Sequence, residues 1–199
     1  CLLDRGHKKI KGLKGFPLVV KPATGGSSLG LSIADNPAQL KSAINSAFQY
    51  DKKIIVEEYV AGREITVGIF EDRPLEPIEI KPKQRFFDYR AKYASGQTEY
   101  IVPARLPFKT MALLKQAALK AHAVLGCSFF SRVDIILAAD NNPVVLEVNT
   151  IPGFTATSLL PKAALERGIP FTELVSRICR QAFPAKEQTE RTSAERVGV

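Results

Sequence analysis

No stretch of this 199-residue chain holds the roughly 18 consecutive apolar residues that a membrane-crossing helix needs. No signal peptide is read at the amino terminus, where CLLDRGHKKI is mostly polar or charged. An initiator methionine is missing, and the single methionine is Met111, so the sequence is read as a piece of a longer protein. Cysteine is scarce. Cys1, Cys127 and Cys179 have neither disulfide nor metal spacing, which fits a reducing, cytoplasmic setting with Cys127 and Cys179 buried as small apolar side chains. No internal repeat is present. The formal net charge of +8 comes with no nucleic-acid-binding motif, and the lysines and arginines are scattered. That pattern argues against a nucleic-acid partner and suits a polyanionic small molecule such as a nucleotide. A P-loop is also missing: no lysine-serine or lysine-threonine pair follows a glycine run.

What remains is a globular composition, with 45% hydrophobic and 24% charged residues, long enough for one domain of substantial core or two small lobes. The most informative stretch is 132–154, RVDIILAADNNPVVLEVNTIPGF. Two apolar-rich runs flank the turn cluster Asp140-Asn141-Asn142-Pro143. A hairpin centred there places Asp134 across from Glu147 and Arg132 across from Asn149, with both carboxylates and the amide close on one ladder. Two carboxylates and an amide oxygen are hard donors suited to Mg²⁺ or Mn²⁺. An arginine beside them is placed for a phosphate held by the same cation. An ordinary half-buried hairpin with charges on its wet side is the plain alternative. The donor-rich segment Thr150-Ile151-Pro152-Gly153-Phe154, running on through Thr155, Thr157 and Ser158, favours the functional reading.

Along the chain, residues 1–15 form a basic opening segment without an assigned element. FPLVVK (16–21) reads as a strand ending in Lys21, followed by Pro22-Ala23-Thr24-Gly25-Gly26-Ser27-Ser28-Leu29-Gly30 and a further strand over 31–34. Such a loop can close over phosphates through backbone N–H groups and hydroxyls, or it can be a plain glycine-rich hairpin turn. Asn36-Pro37 starts a helix whose stripe is Leu40, Ile44, Ala47 and Phe48. Strands follow over 53–59 and 65–70, carrying Glu57, Glu58 and Glu64, and another over 75–80. Residues 81–99 are a long polar-aromatic stretch, the kind of loop that is usually functional or mobile. Thr110 is read as the cap of a helix that runs through Met111, Leu114, Ala118, Ala121 and Leu125 to Gly126, with His122 on its surface. Short helices over 161–167 and 171–183 precede a polar tail over 184–199, expected to be disordered.

In this order the parts resemble the carboxy-terminal portion of the D-alanine–D-alanine ligases, members of the ATP-grasp superfamily. The resemblance runs from about Gly15 to Phe183 and rests on VKPATGGSSLG, FDYRAKY and EVNTIPGFT. It implies an α+β fold of antiparallel sheets with flanking helices, in two lobes gripping the nucleotide. The expected division is a remnant of a preceding region over 1–15, a nucleotide-binding lobe over 16–70, a catalytic and metal lobe over 71–183, and the tail. It implies ATP and D-alanine as substrates and Mg²⁺ or Mn²⁺, two ions, as cofactor. A homodimeric intact enzyme is implied too, with no nucleic-acid or membrane partner.

Carried onto this sequence, the resemblance gives Lys21, Gly25, Gly26, Ser27, Ser28 and Lys92 to the phosphates, and Glu57, Glu58, Val60 and Glu64 to adenine and ribose. Ser27 and Tyr93 become a linked active-site pair. Arg132 becomes the stabiliser of the transferring group, Asp134, Glu147 and Asn149 the metal ligands, and Gly153 and Ser158 the region of the second D-alanine. The implied reaction joins two D-alanines through an acyl phosphate, for peptidoglycan synthesis. Another ATP-grasp ligase, of the D-alanyl-D-lactate type, and a nucleotide-binding remnant without full activity are the alternatives. Arg90 departs from the glutamate often found in the aromatic-lysine loop. The amino-terminal domain, which supplies a glutamate for the first D-alanine, has no counterpart in residues 1–15, so this chain alone is expected to be poorly active.

Overall fold

The computed structural model describes residues 1–6, 10, 12–24, 26, 29–82 and 98–183. Gly25, Ser27, Ser28, Arg90, Lys92, Tyr93 and the polar tail lie outside the described residues. The chain divides into two compact units, Cys1–Arg63 with Ile80–Tyr100, and Glu64–Glu79 with Ile101–Val199.

In the first unit, strands β1 (Leu2–Asp4), β2 (Leu18–Pro22), β3 (Ser32–Ala34) and β4 (Lys53–Glu58) form an antiparallel sheet in the order β1-β4-β2-β3. Period-two alternation turns Leu18 and Val20 of β2, and Ile54 and Val56 of β4, onto one face. They pack there with Ala43 and Ala47 of helix α1 (Pro37–Ala47), while Leu40, Ile44 and Phe48 close over the cluster. The start of α1 follows from its sequence. Asn36 Oδ1 accepts the Gln39 N–H at 3.0 Å, Gln39 Oε1 accepts the Asp35 N–H at 2.6 Å, and Pro37 lacks the donor that a first turn leaves unpaired. The opening segment, unassigned from sequence, supplies β1, whose Leu3 is buried in the same cluster.

A six-stranded sheet has the order β10-β9-β5-β7-β8, with β6 paired to β5. Its strands are β5 (Gly62–Phe70), β6 (Arg73–Pro74), β7 (Ile78–Pro82), β8 (Thr98–Ile101), β9 (Phe130–Ala138) and β10 (Pro143–Asn149). Ile65, Val67 and Ile69 of β5 and Val133, Ile135 and Leu137 of β9 form the core with Leu114 and Ala118 of helix α2 (Phe108–Val124). Helix α2 begins two residues before Thr110. Its N-cap is Pro107 and Thr110 is buried in its first turn, so Thr110 is not the cap. The helix closes at Gly126, whose φ of +66° suits a residue without Cβ.

On β5, Gly68 lets helix α3 (Leu159–Glu166) approach: a Cβ there would lie 2.7 Å from Leu160 Cδ1 and 3.1 Å from Leu75 Cδ1. Helix α4 (Phe171–Ala182) is held to the β5–β6 turn by Arg177, which pairs with both Glu173 and Glu71. Two expectations are corrected. Cys127 is half-buried and Cys179 exposed, and His122 is buried on the sheet side of α2, at the i+4 position after Ala118.

Candidate functional site

The hairpin of β9 and β10 has the pairing its sequence predicts: Glu147 faces Asp134, and Asn149 faces Arg132. It reaches that register by a device the sequence hides. At the turn Pro143 faces Leu137, and an uninterrupted ladder from there would put Glu147 opposite buried Val133. A register shift between Val145 and Glu147 admits Leu146 as an extra residue. Glu147 and Asn149 thereby fall opposite the half-buried Asp134 and Arg132, and Val148 takes the place beside Val133.

Asp134 is the hub. Arg132 forks onto it through Nε at 2.9 Å and Nη2 at 2.8 Å. Thr66 Oγ1, on neighbouring β5, donates to Asp134 Oδ1 at 2.7 Å. Asn149 Nδ2 donates to Asp134 Oδ2 at 3.2 Å and to Glu147 Oε1 at 3.3 Å. One amide therefore reaches both carboxylates. Turning that amide over would present Oδ1 in place of its N–H₂, giving an all-oxygen donor set that fits a hard divalent cation. Among the described residues no group of three or more His, Cys, Asp or Glu gathers; the groups brought together here are two carboxylates and one amide. Thr66 was missed from sequence. Its only signal is a hydroxyl at a strand position between core residues, on the face opposite theirs.

Beyond β10, Ser158 stands at the N-cap of α3 but turns its hydroxyl back on the preceding loop. Ser158 Oγ accepts the Thr155 N–H at 3.0 Å and lies 2.9 Å from Thr155 Oγ1, which is 3.2 Å from Thr157 Oγ1. The same Oγ is 3.3 Å from where a Cβ on Gly153 would stand, so Gly153 and Ser158 meet at this hydroxyl cluster. The Phe154 ring lies between Phe130 and Phe171, with centroids at 5.9 and 6.1 Å.

In the first unit, Lys21 Nζ meets Glu57 Oε1 at 2.6 Å, a diagonal pair on one face of β2 and β4. Glu58 Oε1 accepts the Lys14 N–H at 3.1 Å, and Val60 is half-buried just beyond β4. Glu64 opens the second unit at a half-buried position of β5. The described part of the glycine loop is tied down at its start: Thr24 donates through N and Oγ1 to Asp51 Oδ2 at 2.7 and 2.6 Å. Gly26 is exposed, and its carbonyl accepts the Leu29 N–H at 3.2 Å. Hydrogen bonding by Thr24, with backbone donors behind it, lowers the Asp51 pKa from 3.8 to about 2. Among the described residues no helix is long and apolar enough to cross a membrane.

A family profile described as "D-ala D-ala ligase C-terminus" matches residues 4–180. The D-alanine–D-alanine ligase of Syntrophotalea carbinolica is 45% identical over 178 residues, covering 89% of this chain and 58% of that protein. The crystal structure of the Bacillus anthracis D-alanine–D-alanine ligase complexed with ATP matches with a TM-score of 0.77 at 33% identity, over 90% of this chain and 58% of that one. The VanG D-Ala:D-Ser ligase of Enterococcus faecalis matches with a TM-score of 0.72 at 34% identity, over 81% of this chain and 48% of that one. The chain thus spans less than two thirds of the length of each of these relatives. With its two antiparallel sheets, its flanking helices and this match over nearly its whole length, the chain belongs to the D-alanine–D-alanine ligase family, as the ATP-grasp portion that forms the family's carboxy terminus.

Proposed function

We propose that the chain is the ATP-binding, cation-holding and second-substrate portion of an enzyme that joins two D-alanines at the expense of ATP. The observation that carries this is the bulged hairpin, which spends an extra residue to bring Glu147 and Asn149 onto the face of Asp134 and Arg132. Asp134, Glu147 and Asn149 are the groups that would hold Mg²⁺ or Mn²⁺. The cation would add positive charge where a transferring phosphoryl group carries negative charge. Arg132 forks onto Asp134. With Asp134 serving as a ligand, the guanidinium would turn its planar pair of N–H groups toward phosphate oxygens.

Lys21, with Lys92 and the loop from Gly25 through Gly26, Ser27 and Ser28, supplies the remaining donors to the phosphates. Glu57, Glu58 and Val60 form the adenine-reading segment, and Glu64 takes the ribose. In the first step a carboxylate oxygen of one D-alanine bonds to the γ-phosphorus, the bond to the β-bridging oxygen breaks, and ADP leaves. In the second, the amine of another D-alanine adds to the acyl carbon and phosphate is expelled. The hydroxyl cluster at Ser158, beside Gly153, is suited to hold the second D-alanine by its carboxylate. Ser27 and Tyr93 are assigned, from the resemblance, the task of keeping water from the acyl phosphate. A homodimer is the proposed state of the intact enzyme. The likeness to a D-Ala:D-Ser ligase favours a second reading in which the acceptor is another D-amino acid.

The test is phosphate release. Fused to the amino-terminal domain of the Syntrophotalea carbinolica ligase, the chain is expected to release phosphate from ATP only when D-alanine is present. Alone it should do so at least a hundredfold more slowly, because misplacing the first substrate by about 1 Å can cost that much. A fusion that folds but shows no D-alanine-dependent phosphate release contradicts the proposal. Turnover by the unfused chain at about 1 s⁻¹ or faster contradicts the division of labour.

A further inference from the structure

Three side chains of the second unit stand in a row that none of the chemistry above uses. His122 is 2% exposed. Its Nδ1 lies 2.7 Å from Ser131 Oγ and its Nε2 3.1 Å from Asp72 Oδ1. Asp72 is largely exposed and accepts, so Nε2 carries a hydrogen. In the neutral ring Nδ1 then accepts from the Ser131 hydroxyl. The order serine, imidazole, carboxylate invites comparison with a hydrolytic triad, but Ser131 is 0% exposed and its hydroxyl can meet no substrate.

The row does something else. Asp72 Oδ1 also accepts the Phe129 N–H at 2.7 Å, and the Asp72 N–H donates to the Phe129 carbonyl at 3.3 Å. Phe129 has a φ of +66°, a left-handed conformation that bulky side chains disfavour, and Glu71 and Asp72 share it at +53° and +55°. A strained backbone of this kind persists only where its surroundings over-determine it. Here the clasps are His122 and Asp72, the Phe70 ring edge-on to Phe129 at 5.4 Å, and Arg177 on Glu71. Phe129 is the last residue before β9, and Ser131 stands directly before Arg132.

We propose that His122 is a positioning residue: through Ser131 and Asp72 it holds the left-handed Phe129, and so fixes the direction in which β9 presents Arg132 and Asp134. The inference rests on the reading of Arg132 and Asp134 as phosphate and cation groups, and it is tested so that the two can fail separately. His122→Leu, His122→Gln and the exposed-site variant Asp72→Ala are compared with the parent chain by hydrogen exchange over residues 129–134. Their Mn²⁺-dependent affinity for a non-hydrolysable ATP analogue is measured alongside.

His122→Leu and Asp72→Ala should speed exchange in that segment about tenfold or more while leaving β4 and α1 protected. They should weaken the analogue about tenfold, as loss of a supporting shell around ligands does. In His122→Gln one amide can still accept from Ser131 and donate to Asp72, so both readouts should stay within about threefold of the parent. Unchanged exchange at 129–134 overturns the inference, and so does raised exchange with unaltered analogue affinity. A uniform loss of protection in all three variants, Gln included, also overturns it. If the parent binds no analogue, the proposed function fails, and the exchange pattern alone decides the positioning role.

Discussion

Asp51 is a surface carboxylate with an anchoring task. It receives both donors of Thr24, at the start of the glycine loop, and the Lys53 N–H at 3.1 Å. Those hydrogen bonds favour the ionised form and take its pKa down from 3.8 to about 2. A carboxyl whose folded pKa is depressed stabilises the fold above its unfolded pKa, and that contribution is lost as pH falls through the folded one. Replacing Asp51 with Asn should therefore lower the melting temperature at neutral pH, and the gap from the parent should narrow as pH falls from about 4 to about 2. A gap that stays constant across that range would show that Thr24 gains nothing from the charge. Asp51 gave no sign of this role in the sequence, because its partner lies across a strand pairing. His122 is legible from spacing: it follows Leu114 and Ala118 at steps of four on the buried stripe, and its ring can be buried because Ser131 and Asp72 engage both nitrogens.

At the scale of elements, the apolar and polar pattern exposed most strands and every helix among the described residues, since period two and period 3.6 are imposed by burial on one side. The exceptions are instructive. Strand β1 is three residues long and joins β4 by long-range pairing, so no local pattern marks it. The hairpin register was legible from the turn and the carboxylates, but the bulge at Leu146 was not. Val144-Val145-Leu146 reads as uninterrupted strand, yet Val145 and Leu146 are 38% and 46% exposed. Packing of α3 depends on Gly68 in a comparable way. A methyl there meets Leu160 and Leu75, both fully buried, so Gly68→Ala should destabilise the fold by about 1–3 kcal/mol through overpacking. Urea denaturation measures this; a midpoint equal to the parent's would mean that α3 can retreat without loss.

For the whole molecule, the motifs that name the family were readable because they are specific residue strings in a fixed order, within the stretch that the family profile matches over residues 4–180. Under the proposed function, the bulged hairpin makes nucleotide binding depend on a divalent cation. Glu147 is the sharpest probe, since it is exposed, its side chain accepts from Asn149, and Glu147→Gln keeps its shape while removing a ligand charge. Calorimetry of the 199-residue chain with a non-hydrolysable ATP analogue, titrated with and without Mg²⁺, measures this directly. Binding that Mg²⁺ strengthens is expected in the parent, and in a Glu147→Gln variant of unchanged fold that strengthening should fall about tenfold or more. Equal Mg²⁺ dependence in the two chains, or no heat at millimolar analogue from a folded parent, would contradict it.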